Sequence, residues 1–380
     1  MAERIGSVVD ADGHVLEPAD TWERYIDPKY RDRAIRIARD EQGKETLLFD
    51  NRPMRSLRGN LGALGGIELG PGGLGARETD YTYAEGSPPG GYDPHARLRV
   101  LDQEGIDRVL LYPTIGICWE GSVRDPGLAT AYTRAYNRWI AEFCLADPRR
   151  LYPVAHISLI DPDGAVDEVS RARKDGCVGV YLSPDLAARG GRQLTDPAFA
   201  RFFATVQDLE MPIGFHVVVR DEPAFSEYSG RGPESALFFF AFLAIDVMAA
   251  FTYMISSGMF ERYPRLKCSV LEAGASWIAA WLDRLDHKYE VMKSITPFKL
   301  KPSEYFYRQC LISADPDESM TAQIVEHIGA DYVTWASDYP HIDASFGVVK
   351  EIKERLSGLP LASQRKVLGE NAIRFYGLGS

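Results

Sequence analysis

Apolar residues fall in short runs separated by longer stretches with helical spacing. The runs occupy 7–15, 108–113, 151–159, 176–183, 212–219, 266–271, 309–313 and 331–337. They are rich in Val, Ile, Leu, Tyr and Phe and lack strict alternation, which predicts strands covered on both faces, as in a parallel sheet. Helical patterns cover 93–104, 126–147, 163–174, 196–209, 236–255, 276–292, 319–328 and 361–376. Strand followed by helix, repeated along the chain, predicts an α/β fold of the (β/α)8 TIM-barrel type. A doubly wound open sheet is the competing arrangement, because closure leaves no mark on the pattern.

One connection, 17–92, is far longer than a turn. It holds a hairpin-like section at 34–50 and then the glycine-rich tract LGALGGIELGPGGLG. The whole of 1–380 therefore reads as one barrel domain, with 17–92 as an insertion that covers the barrel mouth, where long loops carry binding residues. Gly70, Gly72 and Gly75 match the spacing GxGxxG. Pro71 interrupts the match and no strand precedes it, so no dinucleotide site is expected.

The stretch 236–255 is apolar enough to test whether the chain is soluble. Asp246 near its middle would be costly in lipid, and Pro-Glu-Ser before it and Ser-Ser-Gly after it read as helix boundaries. A buried or subunit-interface helix is the expectation, with no membrane partner. The N-terminus carries no apolar run suited to a signal peptide. Cys118, Cys144, Cys177, Cys268 and Cys310 are scattered, which predicts free thiols and a reducing, cytoplasmic setting. A formal net charge of −11 argues against a nucleic-acid partner. A small-molecule substrate is the remaining partner.

Catalytic residues of such a barrel project from the C-terminal ends of its strands. On the first run Asp12 and His14 stand two apart, so they point the same way. The fifth run places His216 inside an apolar segment, the sixth ends in Glu272, and the eighth is followed by Asp338 and His341. Each alone has a bland reading as a turn, cap or core residue. Together they gather carboxylates and imidazoles at one end, and like charges there need a cation. Asp12, His14, His216, Glu272, Asp338 and His341 are thus the candidate metal ligands, for one or two divalent ions: zinc, manganese or iron. Asp338, His216, His341 and Glu272 are also the candidate catalytic groups. Tyr112, Trp119, Phe225 and Tyr228 are candidates for a pocket wall, and Arg308 for contact with an acidic substrate. His156 reads as a core residue, and His95, His287 and His327 fall in helical stretches as structural or exposed residues.

These residues lie in the motifs DADGHVLEP at 10–18, YDPHARLRVLDQEGID at 92–107, RLYPVAHISL at 150–159, LEAGASWIAAWLDRLD at 271–286 and WASDYPHID at 335–343. With them the sequence resembles the amidohydrolase superfamily, in the amidohydrolase-2 branch that contains the aminocarboxymuconate-semialdehyde, resorcylate and carboxyvanillate decarboxylases. The resemblance implies a TIM barrel, ligands at Asp12, His14, His216 and Asp338, and a homodimer or an assembly with a related subunit. Two departures stand out. The branch often opens with His-x-His or Glu-x-His where this chain has Asp12-x-His14. Its decarboxylases also carry a histidine on the sixth strand where this chain has Glu272. Glu272 with His341 is more similar to relatives that hold two metals, among them hydrolases and iron-dependent oxygenases. The leading expectation is a hydrolase using metal-activated water, with Asp338 as general base. Non-oxidative decarboxylation and oxygenation at a dinuclear iron or iron–manganese site are the alternatives.

Overall fold

The protein is described here by a computed structural model, covering residues 6–69, 81–221 and 236–379. All the expected strands form. They are β1 (Val9–His14), β5 (Arg108–Tyr112), β6 (Leu151–Ile157), β7 (Gly179–Leu182), β8 (Ile213–Phe215), β9 (Cys268–Val270), β10 (Cys310–Ala314) and β11 (Val333–Trp335). They pair in parallel as an 8-stranded sheet in sequence order. Its two ends meet just beyond the ladder. Asp338 N–H donates to the Asp12 carbonyl at 3.0 Å, and His14 N–H donates to the Tyr339 carbonyl at 2.7 Å. This seam is what makes the sheet a barrel rather than an open doubly wound layer.

The helices outside the barrel start where local chemistry dictates. Asp93, Asp125 and Asp161 each precede a proline and cap the helices Pro94–Glu104, Pro126–Cys144 and Pro162–Lys174 with a side-chain carboxylate. Proline suits the first helical position because its missing N–H would have had no intrahelical partner. The insertion holds a small antiparallel sheet of β2 (Arg36–Arg39), β3 (Glu45–Phe49) and β4 (Arg52–Pro53). The tight Gly70-to-Gly75 spacing and the candidates Phe225 and Tyr228 lie outside the described residues.

Three elements differ from the pattern's prediction. The fifth run stops as a strand at Phe215, because His216 turns its Nδ1 onto the Val217 carbonyl at 2.8 Å and the chain leaves the ladder. The helix expected over 361–376 is interrupted by a π-helical turn, Lys366–Glu370. There Gly369 packs so closely that a Cβ would lie 2.0 Å from the Ser7 carbonyl oxygen. The helix Val348–Arg355 was not visible in the periodicity at all.

The apolar helix Ala236–Ser256 lies against the barrel, burying Val247, Ala250, Phe251, Met254 and Ile255. Among the described residues no helix is long and apolar enough to cross a membrane. Asp246, the charge that argued against lipid, pairs with Arg220 at 2.6 Å, and Arg220 also meets Asp185 at 2.8 Å. Removing one partner leaves a half-buried charge under-compensated. Asp246→Ala should therefore cost about 3 kcal/mol of stability, read as a lowered urea midpoint, and the Arg220→Met, Asp246→Leu double variant should recover part of it. An unchanged midpoint in the single variant would show that Asp185 alone suffices. The five cysteines are all buried and free.

Candidate metal centre

The C-terminal ends of β1, β8, β9 and β11 bring the sequence candidates to one place. Asp12 and His14 are on β1, His216 follows β8 directly, and Glu272 and Asp338 stand just beyond β9 and β11. Three overlapping groups place ligand atoms within 4.8 Å of one another: Asp12, His14 and His216; His14, Asp338 and His341; His216, Glu272 and Asp338. His14 Nε2 lies 3.5 Å from Asp12 Oδ1 and 3.5 Å from Asp338 Oδ1. His216 Nε2 lies 2.8 Å from Glu272 Oε2 and 3.7 Å from Asp12 Oδ2. His341 Nδ1 lies 2.8 Å from Asp338 Oδ1.

Buried polar atoms normally find hydrogen-bond partners. Here both carboxylate oxygens of Asp12, Nε2 of His14, Nε2 of His216 and Oε2 of Glu272 have none. The close approach of His216 to Glu272 lacks hydrogen-bond alignment, as expected of two groups aimed at a common third point. The other ring nitrogens of His14 and His216 are held by the carbonyls of Pro113 (3.0 Å) and Val217 (2.8 Å), which leaves Nε2 free to ligate. An orphaned mixed N/O donor set of this kind fits a divalent cation, and the overlap of the groups fits two.

Without a cation the cluster is electrostatically uncomfortable. Burial pushes Asp12 up to about 8, opposed by His216 and reinforced by Glu272. Burial, Glu272 and Asp343 push Asp338 well above the usual carboxylate range. Burial and the neighbouring imidazoles hold His14 well below its ordinary value, and burial takes His341 down to about 4. For His216, burial works downward but the charges of Glu272 and Asp12 carry it up to about 9. Glu272 and Asp338 also occupy the left-handed backbone region, with φ of 46° and 53°. Non-glycine residues persist there only where their surroundings over-determine them, which is common at functional sites.

The support beneath was not legible in the sequence. Arg97 is fully buried and donates Nη1 to the His14 carbonyl at 2.7 Å, with its guanidinium 4.5 Å from the Tyr339 ring centre. Asp10 accepts from the Ser337 N–H (2.9 Å) and hydroxyl (2.6 Å), tying β1 to the segment that carries Asp338. Thr114 Oγ1 lies 2.9 Å from His341 Nε2, and its own N–H is bonded to the buried carboxylate of Glu17. Asp315 and Asp343 add further carboxyl groups at the mouth, and burial raises both, Asp343 to about 6. Arg97, Glu17 and Asp343 sit in or beside the quoted motifs, but their partners come from remote chain segments.

The remaining candidates are placed as follows. Tyr112 backs the site from inside the barrel, its ring centre 6.2 Å from that of His216 and its hydroxyl 3.2 Å from Tyr376 Oη. Trp119 is buried beside His156, with ring centres 5.3 Å apart. His156 is a buried residue as expected, paired with Glu120 at 2.9 Å, and His95, His287 and His327 are exposed on helices. Arg308 is not brought to the site. It precedes β10, at the opposite end of the strand from the mouth, and bonds Gln309 and the Phe260 carbonyl.

A family model for amidohydrolases matches residues 9–378. The chain belongs to this family. It is 22% identical over 290 residues to 2-amino-3-carboxymuconate-6-semialdehyde decarboxylase of Dictyostelium discoideum, covering 76% of this chain and 77% of that one. The amidohydrolase from Mycobacterium avium subsp. paratuberculosis K-10 superposes with a TM-score of 0.81 at 22% identity, covering 99% of this chain and 100% of that one. The 5-carboxyvanillate decarboxylase of Novosphingobium aromaticivorans, complexed with manganese and 4-hydroxy-3-methoxy-5-nitrobenzoic acid, superposes with a TM-score of 0.70 at 19% identity, covering 100% and 98%. These likenesses place the protein among the amidohydrolase-superfamily barrels, an enzyme family whose solved relatives include one that holds a divalent metal.

Proposed function

We propose that this member of the amidohydrolase family is a divalent-metal carboxy-lyase acting on a small organic acid. The observation that carries the reading is the orphaned donor set of Asp12, His14 and His216 beside Asp338, in a chain whose curated relatives are decarboxylases. Hydrolysis, the leading expectation from the residues alone, takes second place for that reason. The ligand set suits either reaction.

A divalent ion in this site would grip the acid through its carboxylate and a neighbouring oxygen and offset the charge left when carbon dioxide departs. The carbon–carbon bond breaks, its electron pair stays on the substrate carbon, and that carbon takes up a proton. Asp338 stands between His14 and His341 and is the group to deliver it. His341, held between Asp338 and Thr114, orients that carboxyl and passes the replacement proton. Buried Tyr112 and the barrel interior keep water from the rear of the site.

Glu272 and His341 support a second reading, a dinuclear oxygenase, because they extend the donor set to two further groups. Elemental analysis of protein purified without added metal, combined with carbon dioxide release from hydroxybenzoic acids, separates the readings. One manganese or zinc per chain with carbon dioxide release is the expected result. Two irons with oxygen consumption would replace the proposal by the oxygenase, and ester or thioester cleavage without carbon dioxide would restore the hydrolase.

A further inference from the structure

A cavity of about 790 Å³ opens at the same end of the barrel as the metal centre, with none of the centre's candidate ligands in its wall. Its walls come from the loops after β5, β7 and β8, from the insertion's hairpin and from the helix Ala236–Ser256. It is therefore roofed by the part of the chain that a plain barrel lacks. Phe49, Met54 and Leu194 line it together with the charged groups of Asp185, Arg189, Arg220 and Asp246.

The charges do not balance locally. Asp185 takes Nε of Arg220 on one oxygen at 2.8 Å and the Ala187 N–H on the other at 2.8 Å. Asp246 takes Nη1 of Arg220 at 2.6 Å. Asp221 accepts from the backbone N–H groups of Arg55 and Ser56. Every carboxylate of the cavity is thus committed, and Arg220 spends its charge on two of them. Arg189 is different. It is 4% exposed, and Nε, Nη1 and Nη2 donate only to carbonyls, those of Arg192 (3.3 Å), Ser183 (2.9 Å) and Pro184 (3.4 Å). Among the described residues no carboxylate is hydrogen-bonded to it. Burial pulls its guanidinium down to about 10, and the charges of Asp185 and Glu120 offset this only in part.

A buried cation with neutral partners only is expensive, and buried charges in proteins are ordinarily paired. The guanidinium fork has N–H groups left over after three carbonyls, in the planar arrangement that matches a carboxylate. A second anionic group on a substrate finds uncommitted guanidinium N–H groups at Arg189.

We propose that Arg189 anchors a carboxylate of the substrate remote from the reacting group, while the substrate's apolar body lies on Phe49, Met54 and Leu194. The cavity then sets both specificity and orientation: the reacting end meets the metal centre and the remote acid meets Arg189. This rests on the reading of the metal centre as the reacting end, but only for what lies at the other end of the substrate.

Calorimetric titration of the metal-loaded protein with straight-chain dicarboxylates from glutarate to sebacate, each against the monocarboxylate of equal length, tests it. At one or more lengths the diacid should bind about tenfold tighter or better, the usual worth of a charge-assisted pair. Arg189→Gln should abolish that preference while its metal content, by elemental analysis, stays at the wild-type value. No preference at any length in the wild type overturns the proposal without need of the variant, and so does a preference that survives in a folded Arg189→Gln protein. Repeating the titration after treatment with a chelator separates the two readings. Arg189-dependent binding of the monocarboxylates that persists without metal, alongside a failed metal analysis, would sink the carboxy-lyase and leave the anchor standing.

Discussion

Asp338→Asn is expected to lower turnover by about 10²–10⁴-fold, the range for loss of a positioned acid–base group. The substitution keeps the shape of the side chain. It removes the ionisable carboxyl facing His14 Nε2 at 3.5 Å, and it places an amide against His341 Nδ1 at 2.8 Å, where that carboxyl now sits. The left-handed backbone at this position is tolerated by asparagine better than by most residues, so the fold should survive and the loss should be chemical. Steady-state rates with elemental analysis in parallel distinguish two causes. A fall in rate with metal retained assigns the proton to Asp338. A matched fall in both assigns it mainly to holding the ion. A variant that keeps full rate and full metal content would remove Asp338 from the mechanism altogether.

The second large effect is on stability. Gly13 separates Asp12 from His14, and a Cβ there would lie 2.6 Å from Arg97 Nη2, 2.6 Å from Val109 Cγ2 and 2.9 Å from Asp10 Oδ2. None of these can retreat cheaply. Arg97 is fixed to the His14 carbonyl, Asp10 is fixed to Ser337, and Val109 is on the neighbouring strand. The β1–β5 register already slips between Asp10 and Gly13. Overpacking a rigid site costs about 1–3 kcal/mol and occasionally more, and Gly13→Ala should reach the upper end. The check is the urea midpoint together with metal content. A midpoint equal to wild type would mean that Arg97 is far freer than its bond to the His14 carbonyl implies.

Much of the architecture could be read from the chain because parallel strands buried on both faces leave uninterrupted apolar runs, and Asp-Pro pairs mark where helices begin. The donor set was legible for a related reason: Asp12, His14 and Glu272 stand where such runs give out and His216 interrupts one, places where an ionisable side chain has no packing role. Arg97, Glu17, Thr114 and Arg189 were not legible, since each acts on a partner remote in sequence. Arg308 misled because an arginine beside a strand carries no sign of which end of the barrel it faces. The reaction was the least legible feature. The same imidazoles and carboxylates serve water, dioxygen or a departing carboxylate, so the hydrolytic expectation rested on donors that do not discriminate. The relatives favour the decarboxylase alternative instead.

The hydrogen bond from the Asp338 amide to the Asp12 carbonyl joins the first strand of the chain to the segment after the last. During synthesis the donor set is therefore incomplete until the segment bearing Asp338 has emerged and closed onto the first strand. Loading with metal should act as a latch on the finished cylinder, slowing its opening at this one junction more than anywhere else around the ring.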